Sequence, residues 1–136
     1  MLYLDTSALA KLYVAEPESH LISITVQANS SWLVTSRVSY AEMLSVLNRC
    51  LCARRLSPGA YNVQKKAFLD DWNSFHVVEL TAAVLADAGR LIERHTLRGL
   101  DAIHLCSALS IGQASFACFD DRLRRAAAAE GLTLVL

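Results

Sequence analysis

The sequence predicts an α/β fold of three layers, in which helices cover both faces of a central, mostly parallel sheet of four to five strands. Short apolar runs alternate along the chain with longer segments of helical periodicity. Strands separated by helices pair in parallel through right-handed crossovers. Hydrophobic residues make up 54% of the 136 residues and charged residues 19%, as in a well-packed globular protein. Without a repeat or a linker in the sequence, we expect one domain over residues 1–136.

The candidate elements follow in order along the chain. Five apolar runs are predicted strands, at residues 1–4, 32–35, 76–80, 115–119 and 132–136. Helices are predicted from Thr6 to Val14, from Glu16-Pro17-Glu18 onward, from a Ser36 cap to Arg54, from Ser57-Pro58 to Phe75, after a Thr81 cap, around Asp101 after Gly99, and from Asp120 to Glu130 before Gly131.

Charge and cysteine content limit the classes of function. Lys plus Arg and Asp plus Glu number 13 each, so net charge favours neither nucleic acid nor membrane as a partner. We expect neither a signal peptide nor a bilayer-spanning segment. The cysteines Cys50, Cys52, Cys106 and Cys118 have no CxxC spacing, which indicates free thiols in a reducing cytoplasm rather than a zinc or redox site.

Four acids fall where an α/β sheet usually binds its ligand, outside the carboxyl ends of the strands. Asp5 follows the first predicted strand and Asp120 the fourth, while Asp101 opens a helix and Glu42 lies early in the helix after the second strand. Taken singly, Asp5 and Asp120 could cap helices and Asp101 could favour its helix dipole. Glu42 is harder to explain in this way, because it stands in an otherwise apolar stretch.

If the four acids converge, their mutual repulsion raises their pKa values unless a cation neutralises them. Carboxylate oxygens favour Mg²⁺ or Mn²⁺ over Zn²⁺. Such a site would activate water and stabilise the developing charge of a phosphodiester.

Four short motifs resemble, in order, the acidic motifs of the PIN-domain family, and the chain is most similar to its VapC-type toxins. The motifs are Leu4-Asp5-Thr6-Ser7-Ala8-Leu9, Ala41-Glu42, Leu100-Asp101-Ala102-Ile103-His104-Leu105 and Phe119-Asp120. The resemblance implies an endoribonuclease that uses one or two Mg²⁺ or Mn²⁺ ions and leaves 5′-phosphate and 3′-hydroxyl products. It also implies a cognate VapB-like antitoxin as partner, and a homodimer.

The resemblance assigns roles to individual residues. Asp5, Glu42, Asp101 and Asp120 match the catalytic and metal-binding acids, and Ser7 matches a small hydroxyl residue that supports the metal site. Cys118 stands where the family usually has Thr or Ser, and its thiol is a weaker donor than a hydroxyl. Asp121 is placed in the first turn of the last helix rather than in the motif, and His104 is interpreted as structural rather than catalytic.

Several basic and aromatic residues are candidates for RNA contact. Arg49 is seven residues after Glu42 on the same predicted helix, so it is expected to hold a phosphate near the acids. Lys65 and Lys66 are equally consistent with a solvated surface. Trp32 and Trp72 are predicted to pack in the core. For Arg122, Arg124 and Arg125, three alternatives stay open: substrate contact, pairing with Asp121, or contact with an acidic antitoxin segment.

The acidic residues are also compatible in part with other classes of protein. An aspartyl phosphatase needs an acid where Ser7 stands, and a phospho-receiver domain needs one where Leu80-Thr81 ends the third strand, so neither fits. A non-catalytic PIN-like module that binds RNA or protein, and a DNA-directed nuclease of the same fold, remain as alternatives.

Overall fold

A computed structural model of the chain describes residues 1–28, 32–112 and 114–136. Its elements are, in chain order, β1 (Leu2–Leu4), α1 (Thr6–Ala10), α2 (Ser19–Ala28), β2 (Leu33–Ser36), α3 (Val38–Cys52), α4 (Pro58–Trp72), β3 (His76–Val78), α5 (Ala82–His95), α6 (Gly99–Ser110), β4 (Ser115–Ala117), α7 (Asp121–Ala129) and β5 (Thr133–Leu134). None of the helices in this described part is long and apolar enough to cross a bilayer.

The five strands form one parallel sheet in the order β3-β2-β1-β4-β5. The central strand, β1, is buried along its whole length, as expected of a parallel strand covered on both faces. Its side chains alternate between two cores: Tyr3 packs with α5, α6 and α7, whereas Leu2 and Leu4 pack with α1 to α4. Helices therefore cover both faces of the sheet, and the predicted three-layer α/β/α architecture is confirmed.

The strand order reverses between β1 and β4, which are neighbours in the sheet. The helix that follows β1 packs on one face and the helix that follows β4 packs on the other. The two chain segments therefore diverge beyond the carboxyl ends of these strands. A crevice at such a point is where open α/β sheets bind their ligands.

Some predicted boundaries differ from the structure. The segment Glu16-Pro17-Glu18 does not open a helix, because Lys11 Nζ donates to the Pro17 carbonyl at 2.7 Å and holds the segment as a turn, so that α2 begins at Ser19. Ser36 does not cap α3: it pairs with Val78 in the sheet, and the chain enters the helix through Arg37. The fourth strand ends at Ala117, so Cys118 and Phe119 separate it from Asp120.

The predicted burial of the two tryptophans is half right. Trp72 is in the core, whereas Trp32 is 52% exposed and stacks on the His76 ring with 4.1 Å between ring centroids. His76 lies on β3, one of the two edge strands of the sheet.

Candidate active site

A cavity of about 620 Å³ lies at the reversal point of the sheet, and all four acids predicted as site residues border it. Its wall combines carboxylates, hydroxyls, one imidazole and several cations. The polar lining residues are Asp5, Thr6, Ser7, Lys11, Glu16, Glu42, Arg49, Arg55, Arg98, Asp101, His104 and Asp120. Carboxylates from four separate parts of the chain thus meet at one edge of the sheet.

Asp5 is 4% exposed and caps α1, where one carboxylate oxygen, Oδ1, accepts from the Ala8 backbone N–H at 2.9 Å. Ser7 Oγ lies 2.7 Å from Oδ1 and 3.0 Å from Oδ2 of the same carboxylate, so its hydroxyl donates to Asp5. The same Ser7 oxygen accepts from the Phe119 backbone N–H at 2.9 Å. Ser7 therefore connects the loop after β1 to the loop after β4, which leads to Asp120.

Asp120 caps α7 through Oδ1, which accepts from the Leu123 backbone N–H at 2.9 Å. The Cys118 sulfur accepts from the Asp120 backbone N–H at 3.3 Å and its thiol donates to the Asp120 carbonyl at 3.6 Å. The Cys118 thiol thus contacts both the backbone N–H and the carbonyl of Asp120. Asp121 lies in the first turn of α7, as expected, and borders a neighbouring cavity rather than the one shared by the four acids.

Glu42 reaches the cavity from α3, and donors fix one of its carboxylate oxygens. Thr6 Oγ1 donates to Glu42 Oε2 at 2.5 Å, and His104 Nε2 lies 2.9 Å from the same oxygen. Burial alone would raise the pKa of Glu42. The hydrogen bonds from His104 and Thr6, together with the charges of His104 and Arg49, outweigh burial and lower that pKa.

Asp101 lies in the first turn of α6 and is partly exposed. Burial and the nearby charge of Asp120 raise its pKa, although the Arg98 guanidinium opposes the shift. Burial also raises the pKa of Asp5, against the combined effect of His104 and the hydrogen bonds from Ala8 and Ser7. The protein around two of the four carboxylates therefore disfavours their charged form, an effect that a bound cation would oppose.

The chemistry of the donors fits a hard divalent cation, since four carboxylates border one cavity and two of them have raised pKa values. In the side-chain positions of residues 1–28, 32–112 and 114–136, no three carboxylate, imidazole or thiol groups are close enough to share an ion. Within these ranges Asp101 accepts no hydrogen bond, so its side chain can turn toward a ligand, and the exposed Asp120 carboxylate, held at Oδ1, leaves Oδ2 without a protein donor.

Several cations border the cavity of the four acids. Arg49, predicted to contact substrate, borders the main cavity and lies 3.4 Å from Ser45 Oγ. Lys11 and Arg55 border it as well, and both pair with Glu16. Lys65 and Lys66 lie outside this wall.

A second cavity, of about 420 Å³, shares Arg98, Asp101 and Asp120 with the main one and adds Asp121, Arg122 and Arg125. Arg124 instead donates to the Cys118 carbonyl at 3.1 Å. Lys11, Thr6 and Arg98 were not predicted as site residues from the sequence. Thr6 had a visible signal, because it stands directly beside Asp5 in the first motif.

Comparisons with known proteins agree with this geometry. Residues 2–129 match the family model described as PIN domain. The chain is 35% identical over 133 residues to Ribonuclease VapC45 of Mycobacterium tuberculosis (strain CDC 1551 / Oshkosh), an alignment that covers 96% of this chain and 92% of that protein.

Two solved structures show the same fold. The crystal structure of Mycobacterium tuberculosis VapC20, described as a sarcin-ricin loop cleaving toxin, superposes with a TM-score of 0.73 at 20% identity and covers 98% of this chain and 97% of that one. A chain from the crystal structure of VapBC2 from Rickettsia felis, bound to a DNA fragment from their promoter, superposes with a TM-score of 0.67 at 15% identity. The match covers 98% of this chain and 97% of that one. The chain belongs to the PIN-domain family and, within it, to the VapC-type toxins.

Proposed function

We propose that the chain is the endoribonuclease toxin of a toxin–antitoxin pair and that it hydrolyses RNA phosphodiester bonds at the cavity of the four acids. The observation that carries this proposal is the meeting of Asp5, Glu42, Asp101 and Asp120 at the reversal point of the sheet. The relatives named Ribonuclease VapC, which match over nearly the whole chain, support the choice of RNA as substrate.

The four carboxylates would hold one or two Mg²⁺ or Mn²⁺ ions, with Ser7 supporting Asp5. When bound, a divalent ion supplies Lewis-acid stabilisation of the phosphate charge and lowers the pKa of a coordinated water. The protein contributes fixed orientation: backbone donors hold one oxygen each of Asp5 and Asp120, and side-chain donors hold one oxygen of Glu42. Attack by water leaves a 5′-phosphate and a 3′-hydroxyl.

The RNA strand would cross the acids rather than end at them. Arg49, Lys11 and Arg55 border the main cavity, Arg122 borders the second cavity, and Arg98 borders both. Guanidinium groups suit phosphate recognition. Cations along two adjoining cavities can hold more than one phosphate of the RNA strand, which supports cleavage at internal positions of the RNA.

The proposed partners are a VapB-like antitoxin and a second copy of the chain. The similarity in fold to toxin–antitoxin complexes from Klebsiella pneumoniae and Rickettsia felis supports this choice. Arg122 and Arg125 flank the acids on the exposed start of α7, and an acidic antitoxin segment could cover them. The four free cysteines and an RNA substrate both agree with action in the cytoplasm.

The test is to incubate total RNA with the wild-type protein and with Asp5→Asn, each with Mg²⁺, with Mn²⁺ and with a chelator, and to map the new 5′ ends. We expect discrete internal cuts with 5′-phosphate ends that require both the metal and Asp5. Matched single-stranded DNA should stay intact. A 2′,3′-cyclic phosphate product would contradict the hydrolytic mechanism, and cleavage of DNA at the same rate would favour the DNA-directed alternative. No metal-dependent cleavage of either would favour a binding module.

A further inference from the structure

His104 is almost completely buried, with 2% of its surface exposed, yet both of its ring nitrogens have polar partners. Nδ1 lies 2.9 Å from the Tyr3 hydroxyl, while Nε2 lies 2.9 Å from Glu42 Oε2 and 3.1 Å from Thr6 Oγ1. These four residues belong to β1, α1, α3 and α6. The imidazole therefore sits where the central strand and three helices meet, one turn along α6 from Asp101.

The donors and acceptors in this group define where the protons lie. A glutamate carboxylate is ordinarily ionised at neutral pH, and in that form it only accepts hydrogen bonds. Thr6 has a single hydroxyl proton, which it donates to Glu42 Oε2. His104 Nε2 must therefore carry a proton to bond the same oxygen, and Nδ1 faces the Tyr3 hydroxyl. The Tyr3 ring is fully buried and stacked on Phe116 at 5.5 Å between centroids, so it cannot move away from His104.

The consequence concerns the other oxygen of Glu42. Both Thr6 and His104 bond Oε2, and no donor from the described residues reaches Oε1. The Glu42 side chain is 26% exposed and borders the cavity. With Oε2 held from within the protein, Oε1 is the oxygen left for a ligand in the cavity that the other three acids also border.

We propose that His104 is a positioning residue of the active site: with Thr6 it holds Glu42 Oε2 and so directs Oε1 toward the bound cation. This inference rests on the proposed metal-dependent cleavage and goes beyond the interpretation of His104 as a residue that only fills the core. A core role needs the volume of the imidazole, whereas a positioning role needs a proton on Nε2. The two roles therefore respond differently to substitutions that keep size or keep the donor.

The first test is independent of cleavage. Nitrogen-15 NMR of the His104 ring in the metal-free protein should show a protonated Nε2. Glu42→Gln should shift that signal, because an amide replaces the charged acceptor. Thr6→Val should shift it as well, since the neighbouring hydroxyl is lost. An unprotonated Nε2, or a signal unchanged by Glu42→Gln, would overturn the proposal. Because no RNA is present, this result does not depend on whether the protein is a nuclease.

The second test compares matched variants. His104→Leu keeps much of the volume without a donor, whereas His104→Gln offers an amide N–H in reach of Glu42. Removing an outer partner of a metal-binding side chain typically lowers metal affinity or activity by about 10- to 100-fold. We expect His104→Leu to weaken Mn²⁺ binding to the RNA-free protein to this extent in calorimetry. It should lower kcat similarly with KM for RNA nearly unchanged, and His104→Gln should recover most of both losses.

Thr6 offers an independent pair if His104→Leu does not fold. Thr6→Val removes only the hydroxyl and should weaken Mn²⁺ binding, while Thr6→Ser keeps the donor and should not. Equal losses for His104→Leu and His104→Gln, with no difference within the Thr6 pair, would overturn the positioning role. Mn²⁺ affinities that follow the donor pattern in a protein that cleaves no RNA would support His104 and refute the proposed function.

Discussion

Removing the Ser7 hydroxyl should both destabilise the protein and slow cleavage. The hydroxyl donates to the Asp5 carboxylate at 2.7 Å and accepts from the Phe119 backbone N–H at 2.9 Å. A hydrogen bond to a charged group contributes about 1.5–3 kcal/mol. The Phe119 N–H is only partly buried, so water can replace most of its bond. We therefore expect Ser7→Ala to lower the free energy of unfolding by about 2–3 kcal/mol.

The assay is urea unfolding in chelator, followed by the fluorescence of the buried Trp72. Ser23→Ala is the matched control, because within the described part of the chain its hydroxyl bonds only the Ser19 carbonyl of its own helix, at 3.0 Å. That substitution should change stability by less than about 0.5 kcal/mol. Ser7→Thr keeps the hydroxyl and should stay closer to wild type than Ser7→Ala.

A double-mutant cycle isolates the charged part of the interaction. In an Asp5→Asn background the Ser7 hydroxyl faces a neutral amide, so its removal should cost only about 1 kcal/mol. The coupling between the two positions should therefore be about 1–2 kcal/mol. Cleavage by Ser7→Ala should fall by about tenfold or more, since the loops that carry Asp5 and Asp120 lose their link. A Ser7→Ala protein within 0.5 kcal/mol of wild type, or an uncoupled cycle, would refute this reasoning.

Three further predictions follow from the same cavity. Without divalent ions, Asp5→Asn should be more stable than wild type at pH 8. The pKa of Asp5 is raised in the folded protein, so the stability that its protonated form contributes is fully present below the unfolded pKa and is lost as pH rises through the folded pKa. The difference in unfolding free energy between Asp5→Asn and wild type should therefore shrink on acidification. A difference that grows toward pH 4 would contradict this expectation. Arg49→Ala should weaken cleavage at sub-saturating RNA and lower the salt dependence of RNA binding by about one phosphate contact, with Mn²⁺ binding unchanged. Lys66→Ala, outside the cavity, should change neither cleavage nor salt dependence. Equal cleavage rates for Arg49→Ala and wild type would count against a phosphate contact. Asp120→Asn should keep the hydrogen bond from the Leu123 backbone N–H, and hence the unfolding free energy, yet lower cleavage by about 100-fold or more. Asp120→Ala should lose both the activity and about 1 kcal/mol of stability. Full activity in Asp120→Asn would remove this carboxylate from the site.

The order of elements was predictable because its signals are local. Asp5, Ser57, Thr81 and Asp120 each accept a hydrogen bond from a backbone N–H three residues on, the contact that makes such residues good helix caps. Hydrophobic periodicity predicted the helices that separate the strands. That the domain extends over residues 1–136, and that the four acids act as ligands and catalysts, stay predictions.

The errors arose where tertiary contacts override local pattern. The Glu16 to Glu18 segment has the composition of a helix start, but the Lys11 ammonium organises it as a turn through contacts with Pro17, Glu16 and Glu18. Trp32 is a large aromatic residue of the kind usually found in a core, but it lies beside an edge strand. Which strand lies at the edge depends on the pairing of the whole sheet. No local signal reports either fact.

The contact between His104 and Glu42 was out of reach for the same reason, since 62 residues separate them. The motif showed that His104 lies one turn from Asp101 on a buried helix, which is compatible with a packing role alone. Only the sheet order brings α6 beside β2, the strand that leads into α3, and thereby places the imidazole against the carboxylate.

The structure also changes how the acids themselves should be interpreted. From the sequence, a helix cap and a metal ligand were competing explanations of Asp5 and Asp120. In the structure a single carboxylate has room for both roles, because the Asp120 cap uses only Oδ1 and the Glu42 contacts use only Oε2. Donors from the protein that hold one oxygen also restrict rotation of the carboxylate, and so direct the other oxygen at the cavity. Capping is therefore part of how this fold would prepare a cation site. Replacing the carboxylate by an amide separates the two roles, because an amide oxygen accepts the same backbone hydrogen bond but carries no charge.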